Sequence, residues 1–375
     1  MAWWRRGTGV RLRLWMVVNL TALTVLCYLV TTAVTHQASG DQSADAATVG
    51  STASRHAAKP TPPVIPTMSQ LLNPTGIYYG VATPSAPWSG AEVAKVAEET
   101  GARPSMTEYF VKWTDNYDPA AVAAAYRHGT VPVLSWEPWQ SQDTRSGAKS
   151  TLTFDTDQPK YRLARIADGA FDPYIQRFAR AVAAAKMPVV LRFAHEMNGT
   201  WYPWSEQLNG NRPGDYVKAW RHVHDLFVKA GATNVIWVWS PNIVRPTPKV
   251  KLAPLYPGDA YVDWVGLVGY GNEDTAQATF GPTLRQLCAI THKPIVITET
   301  GAVPALKTRW ITNFFHWLPS NPDIIGFIWF ERDRASGGTA DWRFDATAAS
   351  LRAFRAGVAA DRTRLVPPTT TAPLP

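Results

Sequence analysis

The chain has 375 residues, 46% of them apolar, two cysteines and a net charge of +8. That content supplies a sizeable core, and two cysteines exclude a disulfide framework. Half of the charge, +4, falls in residues 1–68, and the mild, dispersed remainder excludes nucleic acid as a partner.

In chain order, four arginines (Arg5, Arg6, Arg11 and Arg13) precede an uncharged run from Leu14 to Val34, 21 residues long. That length spans a bilayer as one helix, and the arginines place the N-terminus inside. The alternative is a cleaved secretory signal, with Thr31-Thr32-Ala33 or Ala44-Asp45-Ala46 as the small-residue site. Both readings put the body outside the cytoplasm. Residues 1–36 are thus read as stub and anchor or signal, and 37–68, rich in Ala, Ser, Thr and Pro, as a flexible tether. Residues 69–360 form one folded domain, expected to be a monomer, and 361–375, ending "VPPTTTAPLP", a disordered tail. Cys27 lies in the apolar run and Cys288 in the body, so they are not natural partners.

Eight apolar runs follow: 76–83, 103–110, 131–137, 188–196, 234–240, 262–270, 294–300 and 323–330. Helical patterns such as "GAEVAKVAEETG" and "DPYIQRFARAVAAAK" lie between them. Near-continuous apolar strands suit a sheet buried on both faces, and strand–helix alternation implies parallel βαβ units. Eight such units predict a (β/α)₈ TIM barrel in the α/β class. A doubly wound open sheet is disfavoured: "GVATPSAPWSG" after the first run is not a dinucleotide-binding turn, and "GLVGYG" opens no helix.

Barrel active sites sit at the C-terminal ends of the strands. Those ends carry Trp136 and Glu137 on strand 3, His195 and Glu196 on strand 4, and Tyr270 on strand 6. Glu299 ends strand 7, and Trp329, Phe330 and Glu331 end strand 8. Two carboxylates across one mouth are what glycosidic-bond hydrolysis requires, one as proton donor and one as nucleophile or base. Strict alternation puts Arg192, Ala194 and Glu196 on one face of strand 4, and Ile295, Ile297 and Glu299 on one face of strand 7. Arg192 would hold a neighbouring carboxylate ionised. The rim is rich in tryptophan, and flat aromatic faces suit the C–H faces of sugars. The stretch "HEMNG" is not a zinc motif, because Gly199 stands where HExxH needs histidine. No metal and no cofactor are expected, and a serine nucleophile elbow is absent. The sequon Asn198-Gly199-Thr200 lies in the expected mouth, where glycosylation is not expected.

The stretches "RFAHEMNGTWYPW", "VLSWEPW", "WVWSPN", "VGLVGYG" and "VITETG" resemble glycoside hydrolase family 26 over most of 76–345. The resemblance implies a (β/α)₈ barrel that hydrolyses β-linked polysaccharide with retention of configuration. It implies Glu196 as acid/base and Glu299 as nucleophile. It further implies that His195, Trp201 and Tyr270 contact substrate or nucleophile, and that Trp329 lies under the sugar at the cleavage point. Trp136, Glu137, Arg192 and Trp204 complete the candidate substrate-binding set. Mannan-cleaving members carry a histidine on strand 3 where this chain has Glu137, which moves the expectation from β-mannan towards mixed-linkage β-glucan. Glu137 is read either as a sugar ligand or as half of a salt bridge, and Asp341, Trp342 and Arg343 as cleft-lining or structural. The alternatives to hydrolysis are glycan binding without turnover and glycan remodelling by transglycosylation. The expected partners are a polysaccharide and, through the N-terminal run, a membrane.

Overall fold

A computed structural model describes residues 63–140, 155–273 and 275–370. The expected anchor or signal and most of the tether lie outside them. Among the described residues no helix is long and apolar enough to cross a membrane.

Eight parallel strands close into a barrel in sequence order. They are β1 (Tyr78–Val81), β2 (Met106–Lys112), β3 (Val131–Glu137), β4 (Val189–Phe193), β5 (Val235–Trp239), β6 (Trp264–Gly271), β7 (Ile295–Ala302) and β8 (Ile324–Trp329). Every apolar run of the sequence supplies one strand. The ring closes where Tyr78 pairs with Gly326 and Val81 with Trp329.

Two buried layers follow from strand alternation. Tyr78, Met106, Val133, Val190, Ile236, Trp264, Val296 and Ile328 form the set inside the barrel. Their neighbours along each strand, such as Tyr79, Leu134, Leu191 and Phe327, pack outward against the helices. Local chemistry sets the helix ends. Ser89 accepts a hydrogen bond from Glu92 N ahead of helix α1 (Gly90–Thr100), and Gly101 ends it at φ 75°. Asp118 caps α2 (Pro119–Arg127), whose Pro119 holds the first helical position.

The C-terminal segment departs from the expected loose tail. Leu365 bridges to Ile77, Val366 N donates to Ile77 O, and Thr369 N donates to Gly129 O. Val366 packs against the interior apolar set, so residues up to 370 belong to the barrel. The reason is an apolar pair, Leu365-Val366, which the Pro/Thr composition around it obscures.

Candidate active site

Glu299 and Glu196 line one cleft of about 680 Å³ at the C-terminal end of the barrel. Neither arrives by simple alternation. Ile295 and Ile297 pack outward with the helices, so Glu299 does not share their face as expected. The pairing of β7 with β8 shifts register between Ile297 and Thr300, and this irregularity turns Glu299 inward. On β4 the strand ends at Phe193. Ala194 and Glu196 then take positive φ of 45° and 54°, which Glu196 N donating to Ser240 O at 2.7 Å helps to hold. Ala194 therefore packs outward, and Arg192 and Glu196 reach the interior by different routes. Positive φ at non-glycine residues is strained, and such strain concentrates where geometry serves function.

Both Glu299 oxygens are held. Arg192 Nη1 donates to Oε1 at 2.6 Å, and Tyr270 hydroxyl donates to Oε2 at 2.8 Å. Burial, followed by the Glu299 charge, pushes the Tyr270 phenol well above its ordinary value, so it stays a donor. Glu196 differs. Burial and the Glu299 charge raise its carboxyl to about 7, against the opposing pull of Arg192 and hydrogen bonds from Asn242 and Trp201. Trp201 Nε1 donates to Glu196 Oε2. Gly199 permits that approach, since a Cβ there would sit 2.5 Å from the Trp201 ring. Asn198 is fully buried and exchanges hydrogen bonds with the backbone of Asn242, fixing the loop after β4 to the loop after β5. The sequon amide is thereby engaged.

Beneath the carboxylates lies a buried polar belt. The Arg192 guanidinium is fully buried, and its Nη1 also donates to Glu108 Oε1 and Ser135 Oγ, each at 2.9 Å. Its Nε donates to Ser240 Oγ, which pairs with Thr298 Oγ1. Burial disfavours the Arg192 charge, but Glu299 and Glu108 outweigh it and hold the group protonated. Burial lifts the Glu108 carboxyl to about 8, with Arg192 opposing.

Glu137 ends β3 in the cleft wall. It accepts from Trp139 Nε1 at 3.1 Å and lies 3.9 Å from His195 Nε2. Burial raises it to about 7. His195 is fully buried, and burial followed by Arg192 drives its pKa well below the usual value, leaving it neutral. Its Nε2 lies 3.3 Å from the Tyr202 hydroxyl.

Three expected sugar-contacting tryptophans are elsewhere. Trp329 is fully buried among Trp310, Phe314 and Phe354, with Nε1 donating to Trp342 O. It points outward because it follows inward Ile328, and the cleft receives Phe330 and Trp342 instead. Trp136 stacks on Phe178 at 4.4 Å in the outer layer. Trp204 is buried against Tyr202 at 4.3 Å and donates to His195 O, so Tyr202 rather than Trp204 reaches the cleft. Trp88, Phe110, Trp139 and Arg332 also line it. Sequence reading missed the loop residues Trp88, Trp139 and Arg332 and, on β2, both Phe110 and Glu108, a lone carboxylate inside the apolar run. Of the open cases, Trp342 lines the cleft at 4.4 Å from Tyr270, while Asp341 and Arg343 pair with each other at 2.8 Å.

Among the described residues, no group of three or more His, Cys, Asp or Glu is arranged to hold a metal ion. What the arrangement offers is one carboxylate oriented by two donors, a second held near neutrality, and aromatic walls.

The profile of glycosyl hydrolase family 26 matches residues 92–347. Endoglucanase H of Acetivibrio thermocellus is 29% identical over 298 residues, 73% of this chain and 30% of that protein. Beta-1,3-xylanase TXYA of a Vibrio species is 28% identical over 210 residues, 49% of this chain and 43% of that one. Mannan endo-1,4-beta-mannosidase A of a Piromyces species is 25% identical over 206 residues, 54% and 30%. The chain thus spans less than half the length of each of these relatives. A family 26 beta-mannanase structure from Bacteroides ovatus superposes with TM-score 0.58 at 20% identity, covering 81% of this chain and 94% of that one. The family 26 domain of an endo-beta-mannanase/endo-beta-glucanase from Prevotella bryantii gives 0.56 at 18%, covering 77% and 90%. At such identity these two likenesses show the fold alone.

Proposed function

The chain belongs to glycosyl hydrolase family 26, and on that premise we propose that it is a retaining endo-β-glycanase acting on a β-linked polysaccharide, mixed-linkage β-glucan or β-mannan. Glu299 is the nucleophile and Glu196 the acid/base. The observation that carries this reading is the unequal pair: both Glu299 oxygens accept hydrogen bonds, while Glu196 is pushed up to about 7. A carboxyl raised by burial beside a carboxylate oriented by two donors supplies the acid and the nucleophile that a double displacement needs.

In the first step a Glu299 oxygen attacks the anomeric carbon, and the bond from that carbon to the leaving oxygen breaks. Glu196 gives its proton to that oxygen. In the second step water attacks the glycosyl ester, Glu196 takes the water's proton, and Glu299 leaves as carboxylate. Arg192 and Tyr270 hold the nucleophile in line, and Trp201 orients Glu196. Phe330, Trp342, Trp88 and Tyr202 supply the faces on which sugar rings stack.

Glu137 at the end of β3 favours β-glucan over mannan, as does the likeness to an endoglucanase that covers 73% of this chain. The uncharged run 14–34 behind its arginines supports attachment to, or export across, a membrane, with action at the cell envelope. The test is reducing-end release from lichenan, mannan, β-1,3-xylan and cellulose by the wild-type chain and by Glu196→Ala and Glu299→Ala. Release by the wild type and its loss in both variants is the expected outcome. Full activity in either variant refutes the assignment, and no release from any glycan refutes hydrolysis of these substrates.

A further inference from the structure

Arg192 has two carboxyl groups against one nitrogen. Its Nη1 donates to Glu299 Oε1 at 2.6 Å and to Glu108 Oε1 at 2.9 Å, and Ser135 Oγ donates to the same Glu108 oxygen at 2.6 Å. Arg192 and Glu108 are both fully buried, and Glu108 is absent from the cleft lining. Glu108 therefore meets Arg192 but not the sugar. It sits on β2 and Arg192 on β4, with Ser135 of β3 between them.

The proposed reaction removes the Glu299 anion. When Glu299 forms its ester with the anomeric carbon it loses its charge, and the negative charge moves to Glu196 as that residue protonates the leaving oxygen. Glu196 is among the charges that act on Arg192, but no hydrogen bond joins the two. A buried guanidinium whose contacting partner is withdrawn is strongly disfavoured.

We infer that Glu108 is a positioning residue whose carboxylate serves as the contacting counter-ion of Arg192 while Glu299 is esterified, so that it stabilises the glycosyl-enzyme relative to the free enzyme. This rests on the reading of Glu299 as nucleophile. Burial and the Glu299 charge both raise Glu108 in the free enzyme, and loss of that charge removes the second push, so the intermediate is the state in which Glu108 ionises most readily. Without Glu108, Arg192 would turn wholly to Glu299, holding the nucleophile back before attack and losing its anion after it.

The consequence is directional. In Glu108→Gln the ester is destabilised more than the two transition states that flank it, where Glu299 keeps part of its charge. Glycosylation slows, and deglycosylation is unchanged or faster. The experiment is rapid-mixing kinetics with a 2,4-dinitrophenyl β-glycoside of the sugar that the polysaccharide panel selects. Wild type, Glu108→Gln, Glu108→Asp and Glu299→Ala are compared. The expected result is glycosylation slowed by about 10- to 100-fold in Glu108→Gln, read as kcat/KM, with the burst of phenolate lost and the deglycosylation constant not lowered. Glu108→Asp keeps the charge at longer reach and falls between. Equal slowing of both steps, or a burst like that of the wild type, overturns the inference. If Glu108→Gln does not fold, the Asp variant carries the test, and equal slowing of its two steps overturns it as well. A wild type that turns over and a dead Glu299→Ala beside an unaffected Glu108→Gln reject this inference alone, whereas an inactive wild type rejects the proposed function.

Discussion

Replacing Trp201 by phenylalanine keeps an aromatic face in the cleft but removes the indole N–H that donates to Glu196 Oε2. That bond favours the ionised carboxylate, so its loss raises a group already held at about 7 by burial and by the Glu299 charge. A hydrogen bond to a charged group contributes about 1.5–3 kcal/mol. Water entering the vacated volume recovers part of it, leaving a net effect near 1.4 kcal/mol, about one pKa unit. In the proposed mechanism Glu196 must be protonated to serve as acid, so it sets the basic limb of kcat/KM. That limb moves from about 7 in the wild type to about one unit higher in Trp201→Phe. The assay is kcat/KM on polysaccharide from pH 4 to 10. A dinitrophenyl glycoside, whose leaving group needs no proton, should show no such shift in glycosylation. A basic limb that stays in place or moves down on the polysaccharide would refute the link between the indole and the acid.

Other expectations follow from the same contacts. Glu331 is buried, and burial pushes it up to about 8 against the Phe344 and Asp345 backbone N–H groups. A carboxyl raised in the fold binds its proton there after the unfolded chain has lost it. Stability is therefore lost as pH rises from the unfolded value, about 4.3, through about 8. Glu331→Gln should thus gain in melting temperature over the wild type as pH rises from 5 to 8.5, and a pH-independent difference contradicts the sign. Trp329→Ala should cost about 3–5 kcal/mol in denaturant unfolding, as a large core truncation does. At a temperature where it is folded its KM should stay within about twofold of the wild type, whereas a large KM change with little lost stability would return Trp329 to the cleft. Tyr270→Phe, which leaves Glu299 Oε2 without its donor, should lower kcat by about 10- to 100-fold at unchanged melting temperature. Unchanged kcat would show that Arg192 alone orients the nucleophile.

The barrel was legible because each strand is a short apolar run, and the eight runs recur with helical patterns between them. Glu196 and Glu299 were legible because a carboxylate closing such a run must lie near the barrel mouth. The direction of neighbouring side chains was not. Strict alternation fails at Ala194 and Glu196, where positive φ re-aims the chain, and at β7, where a register shift separates Ile297 from Glu299. Neither leaves a mark in residue type. Trp329 is expected at the sugar because the family resemblance implies it, and Trp136 and Trp204 because tryptophan suits both a core and a stacking platform, which composition does not separate. Burial does, placing all three in the packed layers and leaving the walls to Tyr202, Phe330 and Trp342. Glu108 carried a usable signal: a lone acid within a buried strand needs a buried cation, and Arg192 in β4 is its match.

The central claim is that Glu299 becomes covalently glycosylated. It is tested most directly by incubating the chain with an activated 2-deoxy-2-fluoro glycoside, which slows release of the ester, and sequencing the modified peptide by mass spectrometry. The account predicts one added sugar, carried on Glu299 and absent from Glu299→Ala. A sugar attached to any other residue, or rapid turnover of polysaccharide by a chain that never acquires the label, would contradict it.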